Sequence, residues 1–136
     1  MKNLLLDTNL YVAFKRGDDD AVELLRLADE VHLSTVVLGE LLAGFAAGSR
    51  ERRNREELTA FLESPRVRID AVDEGTADFY GRIFALLRRK GRPIPTNDLW
   101  IAAAALQHGL VLATRDDHFA AIEGLATAST PSQLLP

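Results

Sequence analysis

The feature of this chain that most restricts its fold is a regular alternation of short apolar runs with longer segments of helical periodicity. Strands separated by helices form parallel β-α-β units. The pattern therefore predicts an α/β fold, a three-layer α/β/α sandwich with a mainly parallel central sheet. The runs typical of strands lie at residues 4–6, 31–33, 67–69, 110–113 and 125–128.

The predicted helices begin at residues that can cap a helix N-terminus. The acidic run at residues 18–20 opens the first, whose apolar face is expected to include Val22 and Leu25. Ser34 or Thr35 is expected to cap the second, which ends near residue 47. The other helices are predicted after Ser49, over 73–90, over 97–107 after a cap at Thr96, and over 118–122.

The composition is that of one folded domain. The chain has 136 residues, 47% of them hydrophobic and 26% charged, which excludes intrinsic disorder and predicts a single domain over residues 1–136. It has no cysteine, so disulfides and zinc-thiolate sites are excluded. The apolar run at 99–106 is too short to span a bilayer, and three leucines before Asp7 are too few for a signal peptide. We expect a cytoplasmic protein that does not bind membranes.

Four acidic residues are expected to meet at one edge of the sheet, because the carboxyl ends of parallel strands lie together. Carboxylates in such proximity repel one another and require a counter-charge. The four are Asp7 directly after the first strand, Glu40 inside the helix after the second, Asp98 in the first turn of its helix, and Asp116 after the strand at 110–113.

Each acid also has an ordinary structural explanation, and the sequence leaves these explanations open. Asp7 and Asp116 can each cap a helix N-terminus. Asp98 in a first turn complements the helix dipole, and Glu40 can extend to solvent. None of these explanations accounts for four acids at one edge, whereas a bound divalent cation does.

A cage of carboxylates indicates magnesium or manganese, since both are hard ions that prefer oxygen ligands. The histidines, His32, His108 and His118, lack the H-E-x-x-H spacing of zinc proteases. Magnesium and manganese serve phosphate chemistry, in which they activate water and stabilise the leaving oxygen. The formal net charge of −4 is unusual for a nucleic-acid-binding protein, but bound cations reverse the local sign.

Four ordered segments of the chain resemble the PIN-domain family, and within it the VapC-type toxins of prokaryotic toxin–antitoxin pairs. The resemblance implies the PIN-like sandwich, cleavage of RNA with Mg²⁺ or Mn²⁺, a homodimer, and inhibition by a cognate antitoxin protein. The segments are LDTN at 6–9, STVVLGEL at 34–41, NDLWIAA at 97–103 and ATRDDHF at 113–119.

The resemblance also assigns roles to individual residues. Thr8, Asn9 and Thr114 are expected to support the carboxylates by hydrogen bonds. Arg115 is the candidate for a phosphate contact, and Asp117 is a solvent-exposed neighbour of the site. The catalytic, metal-binding acids implied by the resemblance are Asp7, Glu40, Asp98 and Asp116.

Other basic residues are further candidates for RNA contacts, among them Lys15, Arg16 and the cluster at residues 88–92. Because basic residues are expected at a helix C-terminus, that cluster also has a structural explanation. The arginines at 50–55 alternate with glutamates and are predicted to form a solvated helix face.

Two alternative functions compete with that of a nuclease. A haloacid-dehalogenase-like phosphatase requires D-x-D, and Asn9 occupies the place of the second acid. A degenerate PIN-like module that binds RNA or protein without catalysis is the stronger alternative. The presence of all four acids favours the nuclease over that module.

Overall fold

The computed structural model describes residues 2–134, so Met1, Leu135 and Pro136 of the predicted domain lie outside the described residues. The strands are β1 (Asn3–Leu6), β2 (Glu30–Ser34), β3 (Val67–Asp70), β4 (Val111–Ala113) and β5 (Thr127–Ala128). The α-helices are α1 (Thr8–Lys15), α2 (Asp19–Leu27), α3 (Thr35–Ala47), α4 (Glu51–Leu62), α5 (Glu74–Lys90) and α6 (Thr96–His108). Short 3₁₀ helices span Asp117–Ala121 and Pro131–Gln133. No helix over 2–134 has the length and apolar character needed to cross a membrane.

The central sheet confirms the predicted fold class. Its strands are all parallel, in the order β3-β2-β1-β4-β5, and β1 lies in the centre. Leu4, Leu5 and Leu6 of β1 are all 0% exposed. Because neighbouring residues of a strand point to opposite faces, full burial of three in a row means that both faces of the sheet are covered. The structure is therefore the expected sandwich of helices around a sheet.

The register of β1 and β4 positions the two chain segments that follow them. Leu6 pairs with Ala113, so Asp7 and Thr114 leave the sheet side by side. The backbone N–H of Asp7 donates to the carbonyl of Ala113 at 3.0 Å, which extends the ladder by one hydrogen bond. The edge that the strand pattern predicted is thus built from the ends of these two strands.

Two features of the first β-α-β unit differ from the prediction. The predicted helices do not include one over residues 8–15, where the structure has α1, and only the possible N-cap at Asp7 indicated a helix there. The assignment of Val22 to the buried face of α2 is wrong, because Val22 is 40% exposed whereas Ala21 and Leu24 are fully buried. The buried stripe of α2 follows the spacing 21, 24, 25 and 28, which leaves position 22 beside it.

Helix caps agree with the prediction in part. Ser34 caps α3, since its hydroxyl accepts from the N–H of Val36 at 3.0 Å. Ser49 does not cap α4, which begins after Arg50 without a side-chain cap. Thr96 is the first residue of α6 rather than its cap, because Pro95 occupies the capping position. The ring of Pro95 fixes its φ near −65°, and the observed value is −56°.

We predict that Leu24→Ala in α2 lowers the free energy of unfolding by about 2–5 kcal/mol, because it empties a fully buried position. Leu86→Ala in α5 is the matched control, since it makes the same change in another helix at a residue that is 46% exposed. We expect the control to cost about 1 kcal/mol or less. Urea unfolding of both variants measures the difference, and equal losses would contradict the burial described here.

Candidate metal centre

Asp7 occupies the junction of β1 and α1 and is only 4% exposed. Its Oδ1 accepts from the N–H of Thr8 at 2.8 Å, so the helix cap proposed as its ordinary explanation is present. Its Oδ2 accepts from Thr114 Oγ1 at 2.7 Å and from Asn9 Nδ2 at 3.2 Å. Each carboxylate oxygen has two lone pairs, so capping leaves acceptor capacity for a cation.

Glu40 lies half-buried on α3 and is held by two neighbouring elements. Thr8 Oγ1 donates to Glu40 Oε1 at 2.7 Å, and Asn97 Nδ2 donates to Glu40 Oε2 at 3.3 Å. Thr8 therefore bonds to Asp7 through its backbone and to Glu40 through its hydroxyl. This single threonine joins two acids that are 33 positions apart in the sequence.

Asp98 and Asp116 meet at the imidazole of His118. His118 Nδ1 lies 2.9 Å from Asp98 Oδ2 and 3.0 Å from Asp116 Oδ1. One potential ligand atom from each of these three residues lies within 4.8 Å of the others. Asp116 Oδ1 also accepts from the backbone N–H of His118 at 2.9 Å, so its capping explanation holds as well.

Thr114 connects Asp7 with Asp116. Its hydroxyl donates to Asp7 and accepts from the backbone N–H of Asp116 at 3.0 Å. Asn9 is close to the same hydroxyl, with Nδ2 at 3.4 Å, and its Oδ1 accepts from the N–H of Arg115 at 3.1 Å. The residues expected to support the carboxylates therefore contact them or their immediate neighbours.

The acids influence one another electrostatically. Burial raises the pKa of Asp7, the hydrogen bonds from Thr114 and Thr8 lower it, and the charges of Asp98 and Glu40 raise it further. Burial likewise raises the pKa of Asp98; the His118 hydrogen bond opposes this, while the charges of Asp116 and Glu40 add to it. Burial is the main cause of both shifts and the neighbouring acids add to it, so a cation at this position would favour the ionised carboxylates.

The chemistry of the donor set fits a divalent cation. Contacts through Thr8, Thr114 and His118 link the four acids at the edge of the sheet, and two of these acids have a raised pKa. A divalent ion would relieve that repulsion and find the oxygen ligands that hard cations prefer. The residues that could hold it are Asp7, Glu40, Asp98 and Asp116.

Two residues near the acids were not singled out from the sequence. His118 and Asn97 both lie inside the matching segments, each next to or two positions from a predicted acid, yet neither was given a role. The spacing of His118 from Asp116 was the available signal.

Arg115, the predicted phosphate contact, has its guanidinium 2.6 Å from Asp18 Oδ1. Asp117 is exposed, as expected.

The chain is similar to known proteins in both sequence and structure. A sequence model of the PIN domain matches residues 4–125. Ribonuclease VapC5 of Mycobacterium tuberculosis is 32% identical over 125 residues, covering 90% of each chain. The crystal structure of VapBC2 from Rickettsia felis, bound to a promoter DNA fragment, matches with a TM-score of 0.84 at 28% identity, covering 93% of this chain and 97% of that chain.

A second solved structure is VapBC-5 from Mycobacterium tuberculosis, a member of the VapBC family of toxin–antitoxin systems. It matches with a TM-score of 0.73 at 30% identity, covering 94% of this chain and 97% of that chain. The region matched by the PIN-domain model contains all four acids of the cluster. This chain therefore belongs to the PIN-domain family and has VapC-type ribonucleases among its relatives.

Proposed function

We propose that this protein is a metal-dependent endoribonuclease that hydrolyses RNA phosphodiester bonds and acts as the toxin of a toxin–antitoxin pair. The observation that carries the proposal is the convergence of four acids from separate segments at the carboxyl edge of one sheet. A non-catalytic PIN-like module is the alternative, but such a module has no need for a cluster of mutually repelling carboxylates. We further infer one PIN domain over residues 1–136.

The metal is proposed to be Mg²⁺ or Mn²⁺, because the donors are carboxylate oxygens and the chain has no cysteine. A bound ion of this kind lowers the pKa of water and neutralises negative charge on a phosphate oxygen. The proposed ligands and catalytic acids are Asp7, Glu40, Asp98 and Asp116.

The hydroxyls beside these acids are proposed to set the orientation of their carboxylates. Thr114 fixes Asp7 through its hydroxyl and Asp116 through its hydrogen bond with the backbone, while Thr8 fixes Glu40. Asn9 adds a bond to Asp7 at 3.2 Å. Such hydrogen bonds hold ligands in place before an ion arrives, which increases the affinity of a site.

A groove next to the acids provides a path for the RNA backbone. Its volume is about 590 Å³, and Thr8 and Glu40 form part of its wall. Four basic residues also line it, so phosphates lying in the groove would be close to the acids and would meet positive charge. These four are Lys15, Arg16, Arg50 and Arg53.

Arg53 and its neighbour Arg52 form exposed ion pairs with Glu57 and Glu56, as expected for a solvated helix face. Arg115 remains the proposed phosphate contact adjacent to Asp116. Its ion pair with Asp18 is partly exposed, with 40% and 37% of the two side chains accessible, so a phosphate can compete for the guanidinium.

The protein partners follow from the family. We propose that a cognate antitoxin inhibits the nuclease, supported by the structural likeness to VapBC-5, which belongs to a toxin–antitoxin family. We also propose a homodimer and a cytoplasmic location, both on the strength of the resemblance of this chain to VapC-type toxins.

The proposed activity is tested with the purified protein and a mixture of transfer, ribosomal and messenger RNA. We predict cleavage with Mg²⁺ or Mn²⁺ and none with excess chelator. Asp116→Asn should lower the cleavage rate by about 100-fold or more, because it removes a charged ligand. The matched control is Asp117→Asn, an identical change at the adjacent exposed residue, which should cleave like the wild type. Equal rates in both variants, or cleavage that persists with chelator, would contradict the proposal.

We predict that Asp98→Asn does not lower the melting temperature of the metal-free protein at neutral pH. The raised pKa of Asp98 means that its ionised form disfavours the folded state. That penalty grows as the pH rises above about 4 and through the raised pKa, and it disappears below about pH 4. The advantage of the variant over wild type should therefore increase from pH 4 to pH 7. A variant that melts clearly below wild type at pH 7 would refute this account.

Bound metal should make the wild type more stable than Asp98→Asn. We predict that Mn²⁺ stabilises the wild type, by about 2.7 kcal/mol at a concentration of 100 times Kd, because it binds only the folded state. Asp98→Asn should gain much less at the same concentration, since it has lost one ligand. Thermal melts with and without Mn²⁺ measure both shifts, and equal shifts in the two proteins would show that the ion binds elsewhere.

A further inference from the structure

His118 faces the acids from the 3₁₀ helix Asp117–Ala121, and the function proposed above does not use it. The next residue, Phe119, is 1% exposed and anchors this turn in the core. The backbone N–H of His118 donates to Asp116 Oδ1 at 2.9 Å, which fixes the backbone from which the ring extends. The imidazole is therefore held against Asp98 and Asp116 by its own backbone and by its buried neighbour.

The distances around His118 Nδ1 are those between adjacent ligands of one ion. A six-coordinate ion with bonds of about 2.1 Å at right angles places neighbouring ligand atoms about 3.0 Å apart. Nδ1 lies 2.9 Å from Asp98 Oδ2 and 3.0 Å from Asp116 Oδ1. Nδ1 thus lies at the spacing of an adjacent octahedral ligand from each of the two carboxylate oxygens, and one ligand atom from each of the three residues lies within 4.8 Å of the others.

The hydrogen of Nδ1 cannot serve both carboxylates at once, although Asp116 Oδ1 also accepts from the backbone N–H of His118. An imidazole Nδ1 carries at most one hydrogen, and that hydrogen can align well with only one of the two carboxylate oxygens. An ion between the three atoms would satisfy all of them together. The other ring nitrogen, Nε2, lies on the far side of the ring, and about half of the side chain is exposed to solvent.

We propose that His118 binds the divalent ion through Nδ1, together with Asp98 and Asp116, and that this nitrogen ligand makes the site favour Mn²⁺ over Mg²⁺. Mn²⁺ is a hard ion like Mg²⁺, but as a transition-metal ion it accepts an imidazole nitrogen more readily than Mg²⁺, which prefers oxygen and keeps several waters. The inference rests on the proposed metal-dependent function, because it concerns the ion of the same site. It adds a ligand that is not an acid and a preference between the two metals.

The direct test is pulsed electron paramagnetic resonance of Mn²⁺ bound to the full-length wild-type protein. A directly bonded imidazole nitrogen couples magnetically to the manganese electrons, whereas a carboxylate oxygen gives no such nitrogen signal. We expect this ¹⁴N coupling in the wild type and its loss in His118→Gln. His108→Gln is the matched control, since His108 is an exposed histidine at the end of α6, and it should keep the coupling.

Affinity measurements test the metal preference. Calorimetric titration should show that His118→Gln weakens Mn²⁺ binding about tenfold or more, with a change of less than about threefold for Mg²⁺. Equal losses for both metals would overturn the preference.

The outcomes also separate this inference from the proposed function. Bound Mn²⁺ without nitrogen coupling in the wild type, with binding lost in Asp98→Asn, would overturn His118 as a ligand and leave the acid site intact. That wild-type result does not depend on whether the His118 variant folds. Binding of Mg²⁺ without any Mn²⁺ binding would overturn this inference alone, whereas a wild type that bound neither metal would overturn the proposed function as well.

Discussion

Burial of the Asp7 carboxylate at the end of the central strand is the constraint on which the rest of the site depends. A charge removed from water is costly unless it is hydrogen-bonded and paired. Here Thr8, Asn9 and Thr114 provide the hydrogen bonds. Burial is the main reason why the pKa of Asp7 is raised, and the negative charges of Asp98 and Glu40 raise it further. A bound cation would offset the charge that is buried at such a site.

Strand pairing and helix packing bring the remaining acids to the edge of the sheet where Asp7 lies. The pairing of Leu6 with Ala113 places Thr114 beside Asp7, and the turn after Thr114 then carries Asp116 to the same edge. Helix α6 reaches that edge because its alanines at 102–105 are nearly fully buried, which allows close packing. Most of the network is therefore set by strand register and close helix packing, with side-chain hydrogen bonds fixing the final orientation.

The positions of the acids were predictable where a regular element determines them. Asp7 follows a strand, and parallel strands share an edge, so its location followed from the pattern alone. The contact of Thr8 with Glu40 and that of Arg115 with Asp18 join residues 32 and 97 positions apart, and no local periodicity encodes them. Helix α1 was missed because its eight residues are too few to establish a helical period, and tertiary packing stabilises it.

The central claim is that these acids share one divalent ion, and a crystal soaked with Mn²⁺ tests it most directly. Anomalous scattering locates manganese independently of any interpretation of the side chains. The account predicts a peak within bonding distance of carboxylate oxygens from both Asp7 and Asp98. A well-diffracting soaked crystal with no peak there, or with manganese bound only at other acids of the surface, would contradict it.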